Sequence, residues 1–230
     1  MDTIVRAYDP ARDYWTVDAF LTRHHQDGNL EGNWLEPAWE YMHAHPMLQS
    51  QHLVKIGLWE AAGEVVGVVH YEWQLGEAFF EFHPACRSLR SEMLAYAEDH
   101  LAGVSQRDGR RYLCAYINDN DPDFITLAQS RGYTKDIEGT RPLYRLEIAD
   151  PFPAIHLPPG FRLTSLAEEC DWGKVNRVLW RGFDHEGEPP AGAEELESRR
   201  RMFETPSVRP DLKIAVAAPD GSFAAFCGMF

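Results

Sequence analysis

No run of apolar residues in the chain approaches the ~20 needed to span a bilayer, and the first ten residues, MDTIVRAYDP, lack the basic start and apolar core of a secretory leader. Basic residues are scarce: 22 Lys and Arg stand against 36 Asp and Glu, a formal charge of -14 that repels nucleic acid and anionic membrane surfaces. The expectation is a cytoplasmic protein with no nucleic-acid or membrane partner, better suited to cationic or amine-bearing molecules. Cysteines are few as well. Cys86, Cys114, Cys170 and Cys227 are scattered and form no C-x-x-C pair, which excludes the usual zinc knuckle and redox pair and predicts reduced, mostly buried thiols. What is present suffices for folding. With 44% hydrophobic and 12% aromatic residues in 230, the chain holds enough for one and a half to two units with ordinary cores.

Hydrophobic periodicity sets out the elements. Ile4 to Tyr8 alternates as a strand, and Tyr14, Val17, Phe20 and Leu21 recur at helical spacing. A second helix is predicted from Leu35 to His45, after a break at Gly28, Gly32 and Asn33. HLVKIGLWE, EVVGVVHYEW and EAFFEFHP, separated by turns at Ala62-Gly63 and Gly76, read as an antiparallel three-strand meander. Leu89, Met93, Ala97 and Leu101 make Ser88 to Leu101 an amphipathic helix, and RYLCAYI reads as a compact buried strand. That strand should lie parallel to Ala78–His83, as a strand–helix–strand crossover requires. Asp121 as N-cap, Pro122 in the first turn and Asp123 beside it mark another helix that stops at Gly132, and RPLYRLEI closes the unit as a last strand.

Pro151, Pro153, Pro158 and Pro159 then form an extended connector. Beyond it the order begins again: FRLTSL as a strand, a helix through Trp172, Val175, Val178 and Leu179, a helix from Ala193 to Phe203, and two strands. Val54–Glu72 lies over Leu212–Phe230 without a gap at an offset of 158, so that Lys55 meets Lys213, Ile56 meets Ile214 and Gly63 meets Gly221. The chain is therefore expected to hold a complete unit at 1–149, a linker at 150–160 and, at 161–230, the first half of a second copy. That copy stops within an apolar strand, which leaves Ala224, Phe226 and Phe230 near an unpaired edge and predicts either a homodimer or a fragment of a longer polypeptide.

This order of elements, the proline at His83-Pro84 after the fourth strand, and Gly132-Tyr133 after the last helix resemble the GNAT family of acyl-CoA-dependent N-acetyltransferases. The resemblance implies an α+β, three-layer fold: a mixed, mostly antiparallel sheet flanked by helices, here with a partial second copy. It also implies transfer of an acetyl group from acetyl-CoA to an amine, carried by a small molecule or a peptide. In the family an R-x-x-G-x-G pattern at a helix start holds the cofactor's pyrophosphate. Here RSLRSEML puts Ser88, Arg90 and Glu92 at the glycine positions, so Arg87, Ser88 and Arg90 are the remaining candidate cofactor contacts. The family's late-helix tyrosine, the acid for the thiolate, falls at Ala128. Glu81, between Phe80 and Phe82, is the candidate general base.

The second copy offers its own cluster between two helices, where the family's acceptor pocket is commonly lined: Trp180, Phe183, Asp184 and Glu186 as contacts for an amine, and His185 as a proton shuttle. His24 with His25, and His43 with His45, stand at spacings that turn them to different faces of a helix, so no metal site is expected. The expected protein is an acetyltransferase-like chain whose first unit is non-catalytic. The alternative is an inactive GNAT-fold binding or dimerisation module.

Overall fold

The computed structural model describes residues 2–26, 28, 32–142, 144 and 146–228. It divides into two compact units, Met1–His43 with Met47–Arg145, and Ala44–Pro46 with Leu146–Phe230. The division falls just ahead of the proline-rich stretch.

Unit 1 opens with β1 (Ile4–Ala7) and α1 (Pro10–Arg23). Asp9 caps α1 by accepting from the Ala11 N–H at 3.0 Å, Pro10 has no N–H to lose in the first turn, and Val17, Phe20 and Leu21 form the buried stripe. α2 (Glu36–Ala44) follows, then a short 3-10 turn and the meander of β2 (Gly57–Ala61), β3 (Glu64–His70) and β4 (Glu77–Phe82). Ala62 at φ 51 and Gly63 at φ 83 build the two-residue turn whose twist matches the strands it joins. Pro84–Leu89 is a 3-10 turn, and α3 runs Arg90–His100, two residues later than its apolar spacing predicts. β5 (Gly103–Val104), β6 (Arg111–Tyr112) and β7 (Cys114–Ala115) lead to α4 (Pro122–Ser130).

The sheet runs β1-β2-β3-β4-β7, antiparallel except for its last pair, in which Glu77 faces Cys114 and Ala78 faces Ala115 in parallel. Paired residues share a face, so the register sorts the side chains. Val68, His70, Phe79 and Glu81 fall on one side, where Trp34 and Trp39 of the α1–α2 layer meet His70. Gly67, Val69, Phe80 and Phe82 fall on the other, where Met93 of α3 lies against Gly67 and Phe124 of α4 meets Phe80 and Phe82. This is the expected mixed sheet between two helical layers.

Unit 2 comprises β8 (Arg162–Ser165), α5 (Trp172–Gly182), α6 (Ala193–Met202), β9 (Lys213–Ala217) and β10 (Phe223–Gly228), with strand order β10-β9-β8, all antiparallel. Asp171 caps α5 by accepting from the Lys174 N–H at 3.0 Å. The core is small: Leu166, Val175, Ala215, Ala217 and Phe223.

Four expectations need correction. RYLCAYI is not one buried strand: Arg111–Tyr112 turns back onto β5 and only Cys114–Ala115 joins the main sheet. RPLYRLEI forms no strand among the described residues; Tyr144, Leu146 and Ile148 are exposed, while Leu143 and Arg145 lie outside the described residues. Its alternation suits a strand, but among the described residues it pairs with none. The ungapped hairpin match also fails in register. The second hairpin turns through Pro219-Asp220-Gly221, one residue more than the first, so Val216 faces Ala225 where Trp59 faces Gly67. Finally, only Cys86 is buried; Cys114 is half-buried, and Cys170 and Cys227 are exposed.

Candidate functional site

In unit 1 the parallel strands β4 and β7 each run into the N-terminus of a helix, α3 and α4, and the crevice outside their carboxyl ends is where sheets of this kind receive ligands. The strands stay together only briefly. The Cys114 N–H donates to the Gly76 carbonyl at 2.8 Å and the Tyr116 N–H to the Ala78 carbonyl at 2.9 Å. Past that point β4 turns to a different partner, the loop before α2.

The Asn33 amide pairs with Phe82 at both ends, Nδ2 donating to the carbonyl at 2.8 Å and Oδ1 accepting from the N–H at 2.9 Å. It serves β4 as a neighbouring strand would. Next to it the Trp34 N–H donates to Glu81 Oε2 at 2.7 Å. Gly32, at φ 81, lies so close to Asn118 that a Cβ there would sit 2.3 Å from Nδ2. A side chain at position 32 would push the loop off the chain that follows β7.

The two helix starts are tied to each other. Arg90, the first residue of α3, donates to Asp121 Oδ2 at 2.5 Å, and the other oxygen of Asp121 accepts from the Phe124 N–H at 3.1 Å as the N-cap of α4. The carboxylate thus occupies the start of α4, where the helix dipole favours negative charge, and engages the guanidinium at the start of α3. Glu92 accepts from the Trp59 indole at 2.8 Å, while Arg87 and Ser88 are exposed on the turn before α3.

Glu81 is 1% exposed. Its Oε1 lies 3.0 Å from His70 Nε2, and His70, itself fully buried, has Nδ1 3.1 Å from the Tyr71 carbonyl. A carbonyl only accepts, so Nδ1 carries a hydrogen, and the contact between Nε2 and Oε1 needs one more. The contact therefore carries a hydrogen between imidazole and carboxyl. Trp34 closes over it, its ring 4.5 Å from that of His70 and 4.8 Å from that of Phe79. Phe79 in turn stacks on Tyr116 at 4.3 Å, and the Arg141 guanidinium lies 4.5 Å over Tyr116 and pairs with Glu72. Burial raises the Tyr116 hydroxyl and the Cys114 thiol.

The sequence located Glu81 but missed His70, and it did not connect Asn33 and Trp34 of the loop before α2 with β4. The available signal was the hairpin register, which places His70 on the face of Glu81 one strand away. The predicted cofactor contacts are not gathered into a cradle: Arg90 is held inside and Arg87 and Ser88 outside.

In unit 2 the predicted cluster is only partly assembled. The Trp180 and His185 rings approach to 4.4 Å, and the Trp180 indole donates to the Glu186 carbonyl at 3.2 Å. Phe183 is 72% exposed, and Asp184, at φ 58, and Glu186 are exposed on the turn after α5.

The histidines are engaged separately. His24 meets His83 at 4.6 Å between ring centres, and His43 Nδ1 donates to the Trp39 carbonyl at 2.9 Å while Nε2 faces the Tyr8 hydroxyl at 3.2 Å. Burial pushes His43 down to about 4, so it is neutral. Asp18, Glu36 and Glu40 bring oxygens within 4.8 Å of one another. Burial, then the hydrogen bond with Asp18 and the charge of Glu40, push Glu36 up to about 8.

No protein-family model matches the chain. No curated protein matches it either. Among solved structures the chain is similar to a tandem GNAT protein from the clavulanic acid biosynthesis pathway, without AcCoA, at 17% identity and a TM-score of 0.45, over 97% of this chain and 72% of that chain.

Proposed function

We propose that residues 1–149 form a non-catalytic unit of the N-acetyltransferase type, and that any acetyl transfer from acetyl-CoA to an amine acceptor belongs to the second copy at 161–230. The single observation that supports this most is the Arg90–Asp121 pair across the starts of α3 and α4. Acetyl-CoA would bring a pyrophosphate, which needs free N–H groups at a helix start and room for the backbone to approach. The residues of unit 1 do not fit it: Asp121 repels an anion, Arg90 is committed, and the Asn33 loop fills the space along β4.

Glu81 does not fit the part of a base for an amine. Both its oxygens are engaged, and it is sealed from solvent by Trp34 and Phe79. A base must reach the proton it takes. In unit 2 half-buried Trp180 near the end of α5, with the exposed Phe183, Asp184, His185 and Glu186 that follow the helix, has what an amine acceptor needs: aromatic surface, negative charge and an imidazole.

The second reading, a binding or dimerisation module without chemistry, agrees about unit 1 and differs about unit 2. It is favoured by the same turn standing exposed rather than walling a cavity. Thiol release from acetyl-CoA, followed with the full chain and a panel of primary amines and polyamines, distinguishes them. Under the first reading turnover survives Glu81→Gln and Arg90→Ala and is lost with His185→Ala. No turnover with any amine selects the module. Turnover lost in a folded Glu81→Gln protein would place catalysis in unit 1 and overturn the proposal.

A further inference from the structure

The parallel pair in unit 1 sets a row of side chains on one face of the sheet. Glu77 faces Cys114, and two residues further along each segment Phe79 and Tyr116 fall on the same side, the bond from the Tyr116 N–H to the Ala78 carbonyl carrying the register that far. Their rings stack, 2° from parallel with centres 4.3 Å apart. Glu72, just after β3, and Glu77, at the start of β4, bring two carboxylates close enough to act on each other's charge.

Into this corner the chain puts a guanidinium of its own. Arg141 Cζ lies 4.5 Å from the Tyr116 ring centre and 5.3 Å from that of Phe79, and the group pairs with Glu72. A planar cation against aromatic rings and a carboxylate is a recurring form of recognition. Yet Arg141 leaves the place incompletely satisfied. Glu77 Oε2 is buried and has no hydrogen-bond partner among the described residues, although Arg141 is near enough for its charge to act on that carboxyl. Arg141 is also lightly held. It arrives on residues 134–142, which are exposed and form neither helix nor strand; besides the pair with Glu72, their one ion pair among the described residues is that of Lys135 with Asp119 at 2.7 Å. Such a stretch opens at small cost while the strands beneath it stay in place.

We propose that the Phe79–Tyr116 stack, with Glu72 and Glu77, is a binding site for a guanidinium group, that Arg141 is its resident ligand, and that a guanidinium from outside the chain exchanges with it. Charge supports the class: two carboxylates meet one cation, in a chain whose formal charge is -14. Shape favours a guanidinium over an ammonium, because its N–H groups lie in one plane and can engage both carboxylates while the plane rests on the rings. Exchange frees residues 134–142, so occupancy of the site is coupled to release of that stretch. The site stands whichever unit, if either, transfers acetyl groups.

Titration of ethylguanidine into the isotope-labelled full chain, native and Arg141→Ala, with amide shifts as the readout, tests this. In the variant the amides of 77–79 and 114–116 should shift and saturate near ~1 mM. In the native chain the tethered Arg141 competes at a millimolar effective concentration or above, so saturation should need about tenfold more ligand, with the amides of 134–141 moving in step. Ethylamine, of equal charge but without the planar fork, should bind the variant about fivefold more weakly, and adding Tyr116→Leu or Glu77→Gln to it should cost a similar factor. N-acetylarginine amide in place of ethylguanidine distinguishes the source: tighter binding assigns an arginine side chain of a peptide, and equal or weaker binding a small free guanidine. Arg141→Gln, which keeps a long polar side chain, serves if the alanine variant does not fold. No saturable shift by ~20 mM in a folded variant overturns the proposal. So does equal affinity in the native and variant chains, and so does ethylamine binding as tightly as ethylguanidine.

Discussion

β3 of unit 1 and β10 of unit 2 end the same kind of hairpin, yet Val65, Val66, Val68 and Val69 are buried while most of β10 is exposed. Local pattern makes the hairpin in both; the layers added around it decide what is buried. The same pair shows how one turn residue redirects chemistry. The longer turn in unit 2 shifts β9 by one position, so Lys213 faces Gly228 where the pairing of β2 and β3, carried one step further, would set Ile56 against His70. Lys213 is accordingly buried at 0% exposure, whereas Lys55, its match by sequence, sits half-exposed in the turn before β2. An offset in sequence is not an equivalence in space.

The comparison can be broken most forcefully at the buried His70–Glu81 pair of unit 1. His70→Ala leaves the buried Glu81 carboxyl without its imidazole partner. It should cost unit 1 about 3–5 kcal/mol, as removal of one partner from a buried pair does, and leave the unfolding transition of unit 2 where it was. Urea unfolding with separate probes for the two units measures this. A loss under about 1 kcal/mol would mean that the pair is not buried as described.

Lys213 sharpens the comparison from the other side. Burial lowers its pKa, so the folded unit gives up the proton more readily than the unfolded chain, and stability rises with pH until the ordinary value of 10.5 is reached. Lys213→Met restores the apolar character that Ile56 has in unit 1. It should raise the stability of unit 2 at neutral pH by ~1–2 kcal/mol and flatten that rise. A destabilised variant with unchanged pH dependence would show that the contact of the ammonium with the Phe203 ring outweighs its desolvation.

Much of the framework was legible because it is written locally. Asp121-Pro122 and Gly132 bound a helix whatever surrounds it, and the turn glycines Gly63 and Gly221 announce the hairpins. What escaped depends on neighbours distant in sequence. Residues 141–148 alternate as a strand should, yet alternation does not supply a partner strand. Glu81 was found as an acid in an apolar strand, but its partner His70 depends on register, and its cover, Asn33 and Trp34, comes from a loop 47–49 residues earlier. The absent glycines at 88–92 were plain to read; that Asp121 from another helix engages Arg90 was not.

A smaller effect is expected at Glu36. In the folded unit it keeps its proton up to about 8, whereas the unfolded chain gives it up near the ordinary 4.5. Folding therefore takes up a proton between those values, and this residue makes unit 1 lose stability as pH rises from about 4.5 to about 8, with no further loss above. Glu36→Gln removes the titrating group and should flatten the decline for unit 1 alone, as melting temperatures between pH 5 and 9 would register. An unchanged slope would place the titration elsewhere.

The most direct test of a closed unit 1 is calorimetric titration of acetyl-CoA into the full chain, repeated with Asp121→Asn, which removes the carboxylate charge yet retains a side-chain oxygen to cap α4. The expected outcome is that unit 1 adds no site tighter than ~1 mM, equivalent to less than about 4 kcal/mol of standard free energy, so that any heat from unit 2 is unchanged by Arg90→Ala, with measurable binding to unit 1 gained, if anywhere, in the Asp121→Asn variant. Micromolar binding by the native chain that is lost on Arg90→Ala would contradict the closure directly.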